Sequence, residues 1–108
     1  MKTGIELIAE ERREQIEKHG FTFEKYDRYY TNGELLQAAG FCLELVDPQS
    51  DLAAKWPKNW DIKFKNKILR KSNIGKLVVA GAFLMAENQR TGKQTHHKRI
   101  HEIAAEID

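Results

Sequence analysis

Three glutamates, Glu11, Glu34 and Glu87, each interrupt what otherwise reads as the apolar stripe of a helical segment. Ionised carboxylates are costly to gather in a core unless a cation, a donor network or a proton compensates. Carboxylates borne on separate helices and converging on a divalent ion are one way to build a site inside a bundle. Glu14, one turn after Glu11, and Asp27, in the polar stretch that follows, extend the candidate ligand set. Such oxygen ligands suit Mg²⁺, which keeps several waters and takes one or two carboxylates together with phosphate oxygens. An ion held this way orients water and neutralises charge on a leaving pyrophosphate. The competing reading pairs each glutamate with a guanidinium, for which Arg12, Arg13 and Arg90 are available.

The phosphate side of such chemistry would fall to the segment 55–76. It carries Lys55, Lys58, Lys63, Lys65, Lys67, Arg70, Lys71 and Lys76, interleaved with Trp56, Trp60 and Phe64. Lys58, Lys63, Lys65, Arg70, Lys76 and Trp60 are the residues expected to hold a nucleotide's phosphates and base. The same composition suits a nucleic-acid strand, through salt-dependent phosphate contacts and stacking. It equally suits a solvated lysine-rich connection whose tryptophans plug the core. His97 and His101 are spaced i,i+4, as two Zn²⁺ ligands would be. No third ligand stands beside them and H-E-x-x-H is absent, so they read as a solvated face with His96. Tyr26, Tyr29 and Tyr30 read as surface packing before a base pocket. The lone Cys42 lies in an apolar helix and reads as a packed thiol. A glycine-rich phosphate loop, a Ser-His-Asp set and Cys-x-x-Cys are all missing.

Helices must position these groups. The spacing predicts a first helix over 4–19, with Ile5, Ile8, Arg12 with Gln15, and Ile16 on one side and Gly20 as its stop. A second helix is expected over 33–46, capped by Thr31 or Asn32. Leu35, Ala38, Ala39 and Cys42 form its stripe, broadened by Phe41 and Leu45. Asp47-Pro48 breaks it, and residues 51–71 read as irregular around Trp56-Pro57 and Trp60. The strongest helix runs from Ser72 or Asn73 to about Arg90 and is apolar almost all round. It should be central, with Gly81 admitting a close neighbour. Thr91-Gly92 ends it, and 95–107 reads as a last amphipathic helix. The expectation is an all-α, single-domain chain of four main helices with an irregular Trp/Pro connection.

Several of these stretches together resemble a family of small, mostly phage-borne helical proteins. The residues are Glu11-Arg12-Arg13-Glu14-Gln15-Ile16 through Gly20-Phe21-Thr22, Asn32-Gly33-Glu34-Leu35 with Ala38-Ala39, Trp56-Pro57 with Trp60, and Leu77-Val78-Val79-Ala80-Gly81-Ala82-Phe83 through Ala86-Glu87 and Arg90. The likeness spans about residues 5–90, and the last helix lies outside it. That family is in turn distantly similar to the MazG-like, all-α NTP pyrophosphatases. These are dimeric or tetrameric bundles that use Mg²⁺ to cleave nucleoside triphosphates to monophosphate and pyrophosphate. The resemblance implies a MazG-like bundle with Glu11, Glu34 and Glu87 around Mg²⁺. Those enzymes carry E-x-x-E on one helix and E-x-x-D on the next. Here Glu34 is followed by Gln37 and Glu87 by Arg90, while Glu11-x-x-Glu14 has the spacing on the first helix.

Size and charge fit this reading. The 108 residues suit one domain with a real core, and 41% hydrophobic against 31% charged residues argues against wholesale disorder. Residues 1–54 hold 6 Lys/Arg against 11 Asp/Glu, and residues 55–108 hold 12 against 5. An acidic half beside a basic half suits a site where metal meets polyanion, or two patches that pair between subunits. The lack of a membrane-length apolar run or secretory signal, with one cysteine, leads us to expect no membrane partner and a cytoplasmic place in a host cell. The expected function is a nucleotide pyrophosphohydrolase or a nucleotide-binding relative, forming a homodimer or larger assembly. The alternative is a non-enzymatic accessory protein that binds nucleic acid or a host protein.

Overall fold

The structure is a computed structural model, and it describes residues 2–17, 33–47, 56–57 and 60–108. Within them the protein is all-helical: α1 Gly4–Glu17, α2 Glu34–Val46, α3 Ile62–Leu69, α4 Asn73–Thr91 and α5 His97–Ile107. None of these helices is long and apolar enough to cross a membrane.

Every other helix packs on α4. Its sequence dictates this, because Leu77, Val79, Ala80, Ala82, Phe83, Leu84 and Ala86 leave no side fit for water, and all are buried. The cover comes from α1, α2, α3 and α5 of the same chain, while Ile74, in the first turn of α4, remains 52% exposed. Ser72 caps α4 by accepting a hydrogen bond from the Gly75 N–H at 3.1 Å, and Gly92, at φ 70°, ends it. Where α1 crosses α4, a side chain at Gly81 would come within 2.6 Å of Ile8 Cδ1. The fully buried Ile8 therefore fills the space that glycine leaves.

The helix α3 corrects the expectation of four helices and an irregular connection. Asp61 caps it by accepting from the Lys63 N–H at 2.9 Å, and Phe64 and Ile68, one turn apart, face α4. Its lysines and the outward Ile62 and Leu69 obscure that two-residue stripe in the sequence. Other corrections are smaller. Ile16 and Leu45, placed on apolar stripes by spacing, are 36% and 40% exposed. Each lies at the margin of its helix's buried arc. Gly33 stands just before α2, whereas Thr31 and Asn32, the expected caps, lie outside the described residues.

The tryptophans are half-buried and pack against the core. Phe41, Trp56, Trp60, Phe64 and Phe83 form a run of ring contacts with centroids 5.4–6.0 Å apart, mostly edge-on or tilted. This run fastens the chain around α3 onto α4.

The two ends of the chain meet. Thr3 and Glu6 form a reciprocal cap on α1: Thr3 N–H donates to Glu6 Oε1 at 3.0 Å, and Glu6 N–H donates to Thr3 Oγ1 at 3.3 Å. The backbone donor at Thr3 holds the Glu6 carboxyl below its ordinary pKa. Gly4 then lies on α5, its N–H donating to Asp108 Oδ1 at 2.6 Å. A Cβ on Gly4 would overlap the Ala104 carbonyl oxygen and approach its carbon to 2.9 Å. These are backbone atoms, so Gly4→Ala must push α1 and α5 apart. The expected cost is about 1–3 kcal/mol, read as a lower midpoint in urea unfolding. An unchanged midpoint would mean that the helices do not meet as closely as described.

Candidate functional site

Buried polar groups occur on α1 and on the C-terminal part of α4. Arg12 and Gln15, one turn apart on α1, are buried, as is Glu87 on α4. Arg12 Nε donates to Gln89 Oε1 at 2.8 Å, tying the two helices together, and its guanidinium also donates to Gln15 Oε1 at 3.4 Å. With its oxygen oriented by Arg12, Gln15 buries its Nε2 amide, which meets no acceptor among the described residues. A buried donor without a partner costs on the order of 1–3 kcal/mol. Glu87 forms an ion pair with Arg90, one turn further along α4. Asn88 has a structural role, its Oδ1 accepting from the His96 N–H at 3.0 Å to shape the turn into α5.

The predicted metal ligands are only partly described. Glu87 is in the interior; Glu11, Glu14 and Glu34 are half-buried, and Asp27 lies outside the described residues. Leu43 and Asp47 line one cleft with Leu77, so α2 runs antiparallel to α4. Glu34, at the other end of α2, is thereby placed toward the half of α4 that carries Glu87. Glu11 is close enough to Cys42 for its charge to act on that thiol. Among the described residues, no three His, Cys, Asp or Glu side chains gather as ligands for one ion.

The basic segment divides. Lys63, Lys67 and Arg70 are exposed, while Lys65 sits with its Nζ 5.5 Å from the Phe41 ring centroid, a cation–π arrangement. Lys76 and Lys71 lie near enough to Cys42 to act on it electrostatically. Trp60, half-buried, packs on Phe83 and Trp56. Lys58, like Tyr26, Tyr29 and Tyr30, lies outside the described residues. His97 and His101 are exposed, with ring centroids 4.4 Å apart. They edge a groove of about 450 Å³ floored by Ile5, Met85 and Ile100.

Burial pushes the Cys42 thiol up to about 12, and the Glu11 carboxylate adds to the rise. The folded protein therefore keeps Cys42 neutral where an unfolded chain ionises. This contribution to stability is complete below the ordinary thiol pKa near 9 and is lost as pH climbs from there toward 12. Native protein at pH 8.5 should resist thiol alkylation, and the same protein in urea should be modified rapidly. Fast modification without denaturant would place Cys42 at the surface.

Comparison of the chain with family models, curated proteins and solved structures finds no match. The site therefore rests on its own residues. The signal for Arg12 and Gln15 was present in the sequence, as two polar residues on the apolar stripe of α1. The link from Arg12 to Gln89 had no such signal, because it joins positions 77 apart.

Proposed function

We propose that this chain binds a nucleoside triphosphate with Mg²⁺ as a small, phage-borne, MazG-like pyrophosphohydrolase or a binding relative of one. The observation that carries the reading is the burial of polar groups on α1 and on the C-terminal part of α4. A buried carboxylate on α4, and on α1 a buried guanidinium and an amide whose donor meets no acceptor among the described residues, occupy a largely apolar interior. Such groups weaken a core that serves packing alone, and they cluster where a ligand uses them. Glu87, with Glu34 toward the same end of α4, would face the metal, joined by Glu11, Glu14 and Asp27. Arg12 and the lysines Lys58, Lys63, Lys65, Lys76 and Arg70 would meet phosphate oxygens. Metal-assisted hydrolysis by such a site would proceed in the host cytoplasm.

A panel of nucleoside triphosphates with Mg²⁺ tests this, read as pyrophosphate release and as thermal stabilisation. Glu34→Gln and Glu87→Gln should each lower turnover at least tenfold. For a binding relative, they should instead abolish the nucleotide-dependent rise in Tm. Neither release nor stabilisation by any nucleotide, or activity indifferent to both changes, would overturn the proposal.

A second reading is favoured by the exposed, one-signed surface of Lys63, Lys67 and Arg70: an accessory protein that binds a nucleic acid or a host protein without turnover. Steep salt dependence of binding to single-stranded DNA or RNA is its expected signature.

A further inference from the structure

The first two turns of α5 hold a pair of imidazoles in a fixed relation. His97 and His101 stand one turn apart, both exposed, with ring centroids 4.4 Å apart and planes inclined by 63°. Two imidazoles that share one ion, each through a nitrogen at about 2.0–2.1 Å, place their ring centres roughly 4–5 Å apart. The backbone beneath them is pinned. Asn88 Oδ1 accepts from the His96 N–H at 3.0 Å, the His97 N–H donates to the Gln94 carbonyl at 3.1 Å, and the Ile100 N–H donates to the His96 carbonyl at 2.9 Å. Ile100 and Ile103, both buried, dock the helix on the core. The pair therefore rides on a held helix, which reduces the ordering that chelation requires. Spacing alone leaves these histidines as a solvated face, but the structure adds the groove of about 450 Å³ that both rings line. Its apolar floor shares the lining with the carboxamides of Gln89 and Gln94, and none of the lining residues is Asp, Glu, Lys or Arg. On their outer side the same rings border Lys98 and Glu102, one charge of each sign.

We propose that His97 and His101 bind one divalent transition-metal ion of the Zn²⁺, Ni²⁺ or Cu²⁺ class at the edge of this groove. Imidazole nitrogen suits these ions, whereas Mg²⁺ prefers oxygen ligands. Two protein ligands leave further coordination positions open, so the site is an exchangeable one and not a closed structural centre. Those positions go to water, for which the groove has room, and the carboxamides of Gln89 and Gln94 can hydrogen-bond to it. An edge-on ring contact between the two histidines, serving packing alone, predicts no response to metal. The proposal is independent of the nucleotide reading, because neither histidine belongs to the carboxylates and lysines invoked there.

The test is calorimetric titration of the untagged full chain with Ni²⁺ or Zn²⁺ in the absence of nucleotide. One ion is expected to bind per chain. His97→Ala and His101→Ala should each lower its affinity at least tenfold, since a chelate becomes a single ligand, and the double variant should abolish binding. Both positions are exposed, circular dichroism verifies the fold, and His97→Gln with His101→Gln repeats the test with side chains of similar polarity. Substoichiometric Cu²⁺ places the ion: in the wild type it should broaden the methyl resonances of Met85 and Ile100 in NMR spectra, and in the double variant it should not. No binding, affinity unchanged by either single substitution, or broadening that spares Met85 and Ile100 overturns the proposal. Binding of the same strength in the double variant, through carboxylates or other groups, overturns it as well. The nucleotide reading is tested with Mg²⁺ on Glu34 and Glu87, so the two fail separately.

Discussion

Phe83→Ala is expected to destabilise the protein by about 3–5 kcal/mol, the largest effect of any single change considered for this fold. Phe83 is 1% exposed and lies on the central helix. Its ring meets Trp60 at 5.5 Å and Phe64 at 6.0 Å between centroids. Truncation removes the transfer energy of the ring and leaves a cavity walled by two other rings that are held by their own neighbours. The loss should therefore reach beyond α4. The tryptophan fluorescence of the native protein should shift to the red as Trp60 loses its wall. Chemical unfolding should show the lower midpoint with little change in slope. Phe83→Leu keeps most of the volume and should cost less than half as much. A small effect of Phe83→Ala, with unaltered fluorescence, would mean that the aromatic run is not what fastens α3 to α4.

Arg90→Ala is the second large effect, at about 3 kcal/mol, and its cause is electrostatic. The Glu87 side chain is 5% exposed and pairs with Arg90, which is itself 18% exposed. Removing the guanidinium leaves a buried carboxylate whose solvation loss is no longer offset. The figure stands at the low end for broken buried pairs because Arg90 keeps some contact with water. Replacing both members by apolar residues of similar volume, Glu87→Leu with Arg90→Met, should recover most of the loss, since the desolvated charge disappears with its partner. Comparing the single and double variants by urea unfolding separates the pair from mere packing. If the double variant is as unstable as Arg90→Ala alone, the pair is not the source of the effect. The same double variant should also abolish any stabilisation by Mg²⁺ and nucleotide, because it removes the carboxylate to which the proposed site is tied.

Much of the architecture was legible in the residues. The Ser72 cap, the continuous apolar surface from Leu77 to Ala86 and Gly92 mark α4 and its central place without any coordinates. Glycine at position 81 signals a close neighbour, and Ile8 is that neighbour. The interruption of apolar stripes by Arg12, Gln15 and Glu87 marks them as buried polar groups, and Arg90, three residues on, is in reach of Glu87 along one helix face. The helix α3 was not legible as a helix. Only Phe64 and Ile68 face inward, while Ile62 and Leu69, equally apolar by type, face out. Periodicity reads residue types and cannot tell which of four apolar side chains a neighbour will cover.

Sequence alone determined what depends on local spacing: helix periods, the Ser72 cap, the charge contrast between the two halves and the presence of Arg90 within reach of Glu87. Tertiary structure decided what depends on distant parts of the chain. It set Gly4 against Ala104, tied Arg12 to Gln89, packed the tryptophans against the core and laid the other described helices on α4. It also decided that no three of the acidic groups among the described residues share one point. The physical reason is range. Hydrogen-bonded turns and i,i+4 neighbours are fixed by adjacent residues, whereas the meeting of side chains on separate helices follows from crossing geometry. Close packing of the whole core sets that geometry.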